Sequence, residues 1–509
     1  MRKRIESKKY NSMVQRIKGA HMKDNSEILK IGWAQADITP DQPVLLAGQF
    51  HSRVSEGVKD PVTITVLAID SSKDHLLLVS CDLVSIPNSF RDAVRTLVSQ
   101  RNREIDPMKI ILHATHTHTA PEVSIENKLD IHNEGEFLAL PVMSVEEYVA
   151  FATERIADVI KEAWNSRKEG STLYGKGYAV VGRNRRWVNR EGISTMYGKT
   201  DTELFSHIEG YEDHSVNLLV TKNSEGLVTG LVVNIPCPSQ EEEGEFRISA
   251  DYWHDVRVAL RKRFGEKLFI LAQCSAAGDQ SPHLLYEKEA DARMASLHGR
   301  SNREEIAHRI LSSVEDIMHA LNHASPNLPF LLHHVERMDL PQSFLTSKDM
   351  EYARKEADRF YSQYEEEKKR FMEDPDSYRK ESRWYCTLSS FYRRMRWYRR
   401  VIDRFNNQQQ KPTIPTELHI IRLGDIAIAT NCFEYYLDFG IYIKAQSKAV
   451  QTFLVQLAGA GTYVPSNRSV AGGGYGSVPA SNPVGSDGGW KVAERTVEIL
   501  STFWKNSSA

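Results

Sequence analysis

The chain has 509 residues, of which 41% are hydrophobic and 26% charged, and carries a net charge of −2. That composition is ordinary for a globular protein. The length suits two or three average domains or one large one with insertions, and the near-neutral balance excludes a global pull toward nucleic acid or an anionic membrane. Five cysteines (Cys81, Cys237, Cys274, Cys386 and Cys432), odd in number and without a C-x-x-C pair, exclude a disulfide framework and a zinc–thiolate cluster and suit a cytoplasmic setting.

Residues 1–30 form a basic leader with no apolar core of a secretory signal, and a flexible, solvated tail is expected. No run in the chain approaches the roughly 18 apolar residues of a transmembrane segment. Gly32–Pro40 has the pattern of a strand ending at proline, and the loop Gln49–Arg53 follows, with His51 a candidate substrate-facing group. Val62–Asp70 and Leu76–Val84 are predicted as buried strands, the second carrying Asp82 near its end, and Phe90–Asn102 has helical spacing. A short strand, Lys109–Ala114, then delivers a polar loop with His113, His116 and His118. Residues two apart on an extended chain share a face, so His116 and His118 can reach one cavity, and neutral imidazole suits zinc and other borderline metals. Alone, H-x-H is equally a hydrogen-bonded polar loop.

Ser144-Val-Glu-Glu147 is a capping box opening a helix to about Asn165. Gly182–Trp187 is a basic and aromatic cluster whose arginines, Arg185 and Arg186, suit a carboxylate or phosphate. Strands at Gly230–Ile235 and Leu268–Gln273 end in polar chemistry, Cys237-Pro-Ser-Gln240 and Cys274–His283. Between them Asp251 and His254 stand near a helix start. Residues 346–410 are dense in charge and aromatics, broken once at Asp374-Pro-Asp376, and read as an inserted helical hairpin suited to a lid or a homo-oligomer contact. After it come paired strands, Glu417–Arg422 and Ile426–Thr430, and then Glu434. A strand at Thr452–Leu457 precedes Tyr463, and a closing helix at Trp490–Trp504 follows the glycine-rich loop Ala471–Gly476 with Tyr475. That loop lacks the lysine and hydroxyl of a phosphate cradle. The alternation of strands and helices predicts an α/β fold, with a layered mixed β-sheet catalytic domain over 31–345 and 411–509.

Ala114-Thr-His-Thr-His118, Gly278-Asp-Gln-Ser-Pro282 and the paired Tyr463 and Tyr475, with Asp37-Ile-Thr-Pro40 and Asn184-Arg-Arg186, resemble the neutral/alkaline non-lysosomal ceramidase family of bacterial-type enzymes. The resemblance runs from about Ile31 to Trp504, interrupted by the hairpin, and is to the superfamily rather than to a true ceramidase. It implies a metal-dependent amidohydrolase with one divalent ion, most simply Zn²⁺, on His116, Glu434 and Tyr463. It also implies Ser281 as the nucleophile, His118 and Tyr475 around the scissile group, and Asp279 and Gln280 shaping the serine loop. The family's second histidine ligand falls where this chain has Asn234–Gln240, without histidine. The fourth ligand is then expected from Asp251, His254 or Gln240. No segment after the closing helix matches the family's C-terminal β domain, which points away from ceramide in an outer leaflet. The substrate is expected to be a small soluble or amphiphilic N-acyl molecule, with hydrolysis of a glycosidic or ester bond, or a non-catalytic binding role, as the alternatives.

Overall fold

The computed structural model describes residues 28–124 and 140–504, so nearly all of the basic leader lies outside the described residues. Eight strands form one sheet: β1 (Leu29–Asp37), β2 (Thr63–Asp70), β3 (His75–Cys81), β4 (Ile110–Ala114), β5 (Lys168–Tyr178), β6 (Ser215–Asn223), β7 (Val228–Ile235) and β8 (Phe269–Cys274), in the order β8-β7-β6-β5-β1-β2-β3-β4. The central pair β1/β5 is antiparallel. On each side of it the same sequence of pairings recurs, two antiparallel and then one parallel (β3/β4 and β7/β8).

A helix supplies each parallel crossover, as such a connection requires. These are α1 (Asn88–Arg101) between β3 and β4, and α3 (Tyr252–Phe264) between β7 and β8. A second helix follows each half, α2 (Val145–Asn165) and α4 (Asn302–Leu321), packing on α1 and α3 respectively. The eight-stranded sheet is therefore two copies of one supersecondary unit. α2 begins with the expected capping box, Ser144 and Glu147 bonding each other's backbone amides, and buries Tyr148, Val149, Ala152, Ile156 and Ile160 on the first half.

The opposite sheet face packs Leu67, Leu76, Leu78, Ile111, Leu219 and Leu271 against a second sheet. That sheet contains β9 (Leu331–Pro341), β10 (Thr413–Leu423), β11 (Ile426–Thr430) and β12 (Gln451–Val455), with β11 and β12 parallel. The helix Leu437–Gln446 and α7 (Gly485–Phe503) cover its far side through Leu437, Phe439, Val492 and Leu500. Because β2 to β4 are covered on both faces, they read as continuous apolar runs rather than alternating ones.

Between β9 and β10, which stay in register from Leu331↔Leu423 to Pro341↔Thr413, the chain leaves the sheet as α5 (Ser347–Glu373) and α6 (Tyr385–Asn407). The two helices pack side by side through Phe360, Tyr364, Leu388, Tyr392 and Met395. α5 stops at Glu373, before the Asp-Pro pair, and Asp374 caps the short helix that follows. No described helix is long and apolar enough to cross a membrane.

Candidate functional site

Residues after β12 bind the ends of both halves of the large sheet: the Gln456 amide donates to the Cys274 carbonyl at 3.0 Å, and the Ala114 amide donates to the Leu457 carbonyl at 3.3 Å. The loops that leave β4, β7, β8, β11 and β12 are thereby drawn to one place. A two-residue parallel bridge, Glu434–Tyr435 with Tyr463–Val464, sets Glu434 opposite Tyr463.

His116 sits with a positive φ of 69°, a strained conformation for a non-glycine residue. Its Nδ1 lies 2.6 Å from the Val84 carbonyl. A carbonyl only accepts, so Nδ1 carries the proton and donates, and in the neutral ring Nε2 presents a lone pair. That Nε2 is buried, has no hydrogen-bond partner, and faces Glu434 Oε2 at 3.3 Å. Two acceptors in contact need a proton or a metal ion between them. Burial would raise the Glu434 carboxyl, but His116, Arg185 and the Tyr463 hydroxyl outweigh it and hold it below the usual carboxylate range. The Tyr463 hydroxyl, fully desolvated, is pushed far above the usual phenol range and hydrogen-bonds Glu434.

His118 lies beside His116, ring centroids 4.9 Å apart. Arg185 Nη1 donates to Gln240 Oε1 at 3.2 Å, which fixes the amide orientation and turns Gln240 Nε2 toward His118 Nε2 at 2.7 Å. His118 Nε2 therefore accepts, and the protonated Nδ1 lies 3.3 Å from Glu243 Oε2, close enough for charge interaction. Burial holds the His118 imidazolium down to about 4, so at neutral pH the ring is uncharged. Neither Glu243 nor Tyr197 stood out in the sequence. The one available signal for Glu243 was the acidic run Glu241–Glu243 directly after the β7 end.

Arg185, 3% exposed, joins these groups. Its Nη2 donates to the Tyr463 hydroxyl (3.1 Å) and the Gly278 carbonyl (2.9 Å) and lies 3.9 Å from Glu434 Oε2, while Nη1 also donates to the Tyr197 hydroxyl (3.1 Å). Ser281 Oγ is 3.2 Å from the same Tyr197 hydroxyl and accepts from the His283 amide at 3.1 Å. Both partners are neutral, so no base rests on this serine. Tyr475 packs edge-on against Tyr463, centroids 5.5 Å apart, and its hydroxyl is hydrogen-bonded to Tyr463 and pushed up to about 12 by burial.

Other residues expected at the site are committed elsewhere. Asp251 is the N-cap of α3, and its carboxylate accepts from the amides of Glu241, Glu242 and Tyr252 at 2.7–3.1 Å. It staples the backbone at the start of α3. His254, on the first turn of α3, makes no hydrogen bond or ion pair with His116, Glu434 or Tyr463 among the described residues. Of the three expected candidates, Gln240 is the one brought to the site.

Asp279 accepts from Asn184 Nδ2 and the Leu437 amide, both at 3.0 Å, and burial with the Asp438 charge pushes its carboxyl up to about 6. It pins the serine loop and touches no reacting group. Arg186, 0% exposed, pairs with Glu209 at 2.7 Å and donates to the carbonyls of Gly473 and Tyr475. It shapes the glycine-rich loop. His113 is inside β4, buried with both ring nitrogens unpartnered, and not in the loop. His51 sits near the helical pair, its imidazolium disfavoured by burial and by Arg53, Arg393 and Arg394.

The donor set fits a divalent ion in part. His116 Nε2, Glu434 and Tyr463 supply one nitrogen and two oxygens, and the Nδ1–carbonyl bond is the usual second contact of a ligating histidine. Among the described residues no group of three or more His, Cys, Asp or Glu converges as a metal site; the third donor here is a phenol. Arg185 shares that phenol and carboxylate, and Gln240 offers only a weak amide oxygen.

No protein-family model matches the chain, and no curated protein does. Among solved structures it is similar to the neutral ceramidase from Pseudomonas aeruginosa, with 14% identity and a TM-score of 0.63 over 95% of this chain and 75% of that one. It is equally similar to a ceramidase complexed with C2, with 14% identity and a TM-score of 0.63 over 94% of this chain and 76% of that one. The mixed α/β architecture is therefore the neutral ceramidase fold.

Proposed function

We propose that the chain is a metal-dependent hydrolase cleaving the amide bond of an N-acylated, soluble or amphiphilic substrate. The observation that carries this is the pair of facing acceptors, His116 Nε2 and Glu434 Oε2 at 3.3 Å, with His116 Nδ1 already held by a carbonyl. His116, Glu434 and Tyr463 would hold the ion, with Zn²⁺ the best match to one imidazole and two oxygen donors. When bound, such an ion lowers the pKa of a water and polarises a carbonyl.

The remaining residues act around that centre. His118 Nε2, unprotonated and freed when substrate displaces the Gln240 amide, accepts the proton released by the attacking group and returns it to the leaving amine. Tyr475 is the donor offered to a developing oxyanion, and the buried Arg185 charge favours it electrostatically. Ser281, bonded to Tyr197 and a backbone amide, orients the reacting group. All five cysteines are free, which supports a reducing compartment.

The test is a panel of chromogenic N-acyl, ester and glycoside substrates assayed with and without added Zn²⁺. N-acyl cleavage that His116→Ala abolishes and Ser281→Ala only reduces is the expected result. Cleavage of glycosides alone would replace the amide assignment, and no turnover of any class would leave the binding-protein alternative.

A further inference from the structure

Beside the buried donors, Tyr475, which packs on Tyr463, meets two further aromatic rings from different parts of the chain. Phe50, Trp397 and Tyr475 lie with centroids 5.3 Å (Phe50–Trp397), 5.8 Å (Trp397–Tyr475) and 6.1 Å (Phe50–Tyr475) apart. Phe50 and Trp397 are half-buried and Tyr475 is 42% exposed. Trp397 belongs to α6, and that helix is tied to both neighbouring loops. Val54 N donates to the Tyr385 hydroxyl at 3.2 Å, Ser52 N to Ser389 Oγ at 2.9 Å, and Arg404 Nη1 to the Pro479 carbonyl at 2.6 Å. The helical pair is thus a fixed wall of the site.

Three clustered rings are a usual cage for a cation, but the charge here is of the wrong sign for one. Arg394 lies 4.4 Å from the Phe50 centroid. Arg53 is fully buried beside the loop and donates to the carbonyls of Ala47, His118, Glu243 and Glu245. The neighbouring carboxylates are already engaged, Glu56 by Arg383 and Glu243 by His118 and His283. An acyl chain would meet guanidinium groups at the rim. A saturated ring with an apolar face and polar edges meets aromatic faces and arginines together, and an anionic group on it gains charge-assisted hydrogen bonds.

We infer that Phe50, Trp397 and Tyr475, with Arg394, form a subsite for the sugar ring of an anionic N-acylated amino sugar, whose acyl nitrogen is directed toward the Glu434 cluster. The inference deepens the N-acyl hydrolase proposal and rests on it for the direction of the acyl group. Its test reads binding and not turnover, so a chain that binds the sugar but hydrolyses nothing contradicts only the hydrolytic proposal.

The experiment is calorimetric titration of the full chain with N-acetylglucosamine 6-phosphate, with N-acetylglucosamine and octanoate as comparators. The phosphorylated sugar is expected to bind most tightly. Trp397→Ala and Phe50→Ala should each weaken it about tenfold, the loss of one aromatic stacking contact. Arg394→Ala should erase the advantage of the phosphorylated over the neutral sugar. Trp397→Phe, which keeps the apolar packing of α6, gives an intermediate loss and guards against a folding artefact. Octanoate binding more tightly than either sugar, no sugar binding by the wild type, or wild-type affinity in Trp397→Phe and a folded Phe50→Ala would each overturn the subsite.

Discussion

At the scale of single residues, the site depends on which nitrogen of each histidine is already spoken for. A carbonyl on His116 Nδ1 and an amide on His118 Nε2 leave the two neighbouring imidazoles with opposite nitrogens engaged. The separation of roles was what the family resemblance implied; the H-x-H spacing was legible in the sequence. The carboxylate that orients His118 was not, because Glu243 is 125 positions away in a loop whose placement depends on β7. Glu243→Ala is expected to lower kcat by roughly 10- to 100-fold with a smaller change in KM, as loss of an orienting contact does. Glu243→Gln, which keeps an acceptor for the Nδ1 proton, should retain more activity than the alanine variant. Equal losses in steady-state kinetics of the two variants would contradict the orienting role.

At the scale of elements, the site needs close backbone approaches that the apolar pattern does not encode. β5 was invisible to that pattern because three of its residues are glycine. A Cβ on Gly175 would lie 2.5 Å from Ile317 and one on Gly177 2.5 Å from Ser313, so α4 can pack on this strand only where side chains are absent. Gly278 is the same device at the site: a Cβ there would press on the Glu434 backbone, 2.8 Å from its carbonyl carbon. Gly278→Ala should displace the Glu434 loop and remove activity while leaving most of the fold's far-ultraviolet dichroism; full activity in the variant would show that the approach is not needed. The helical hairpin was legible throughout, with its break placed at the Asp-Pro pair, because amphipathic spacing and a proline are local signals. The aromatic wall that α6 builds with Phe50 and Tyr475 was not, since it joins residues distant in sequence.

At the scale of the molecule, the repeated half of the large sheet is a property of its topology. The halves are clamped by Arg257 of α3 gripping Asp82 at the end of β3 with two bonds, at 2.7 and 2.9 Å. Asp82, noticed in the sequence as a carboxylate at a strand end, is therefore a structural group. Burial also sets how stability responds to acid. His113 is held down to about 3 and His118 to about 4, both by burial, from an unfolded value near 6.5. Above 6.5 both rings are neutral folded or unfolded and contribute no pH dependence. As pH falls from 6.5 toward 4 the unfolded chain takes up protons that the folded chain refuses, so stability falls, by up to about 1.4 kcal/mol per pH unit for each ring. The urea midpoint should therefore drop between pH 7 and pH 5, and His113→Leu should keep more of its midpoint over that interval. An identical drop in wild type and variant would remove His113 from the account.

The claim on which the functional proposal stands is that a divalent ion belongs between His116 and Glu434. The direct measurement is the metal content of the purified chain after equilibration with Zn²⁺ and removal of free ion, for the wild type and for Glu434→Gln. One ion per wild-type chain, with loss in the variant, is the predicted result; a wild-type chain that retains no ion, or a variant that retains the full amount, would contradict it.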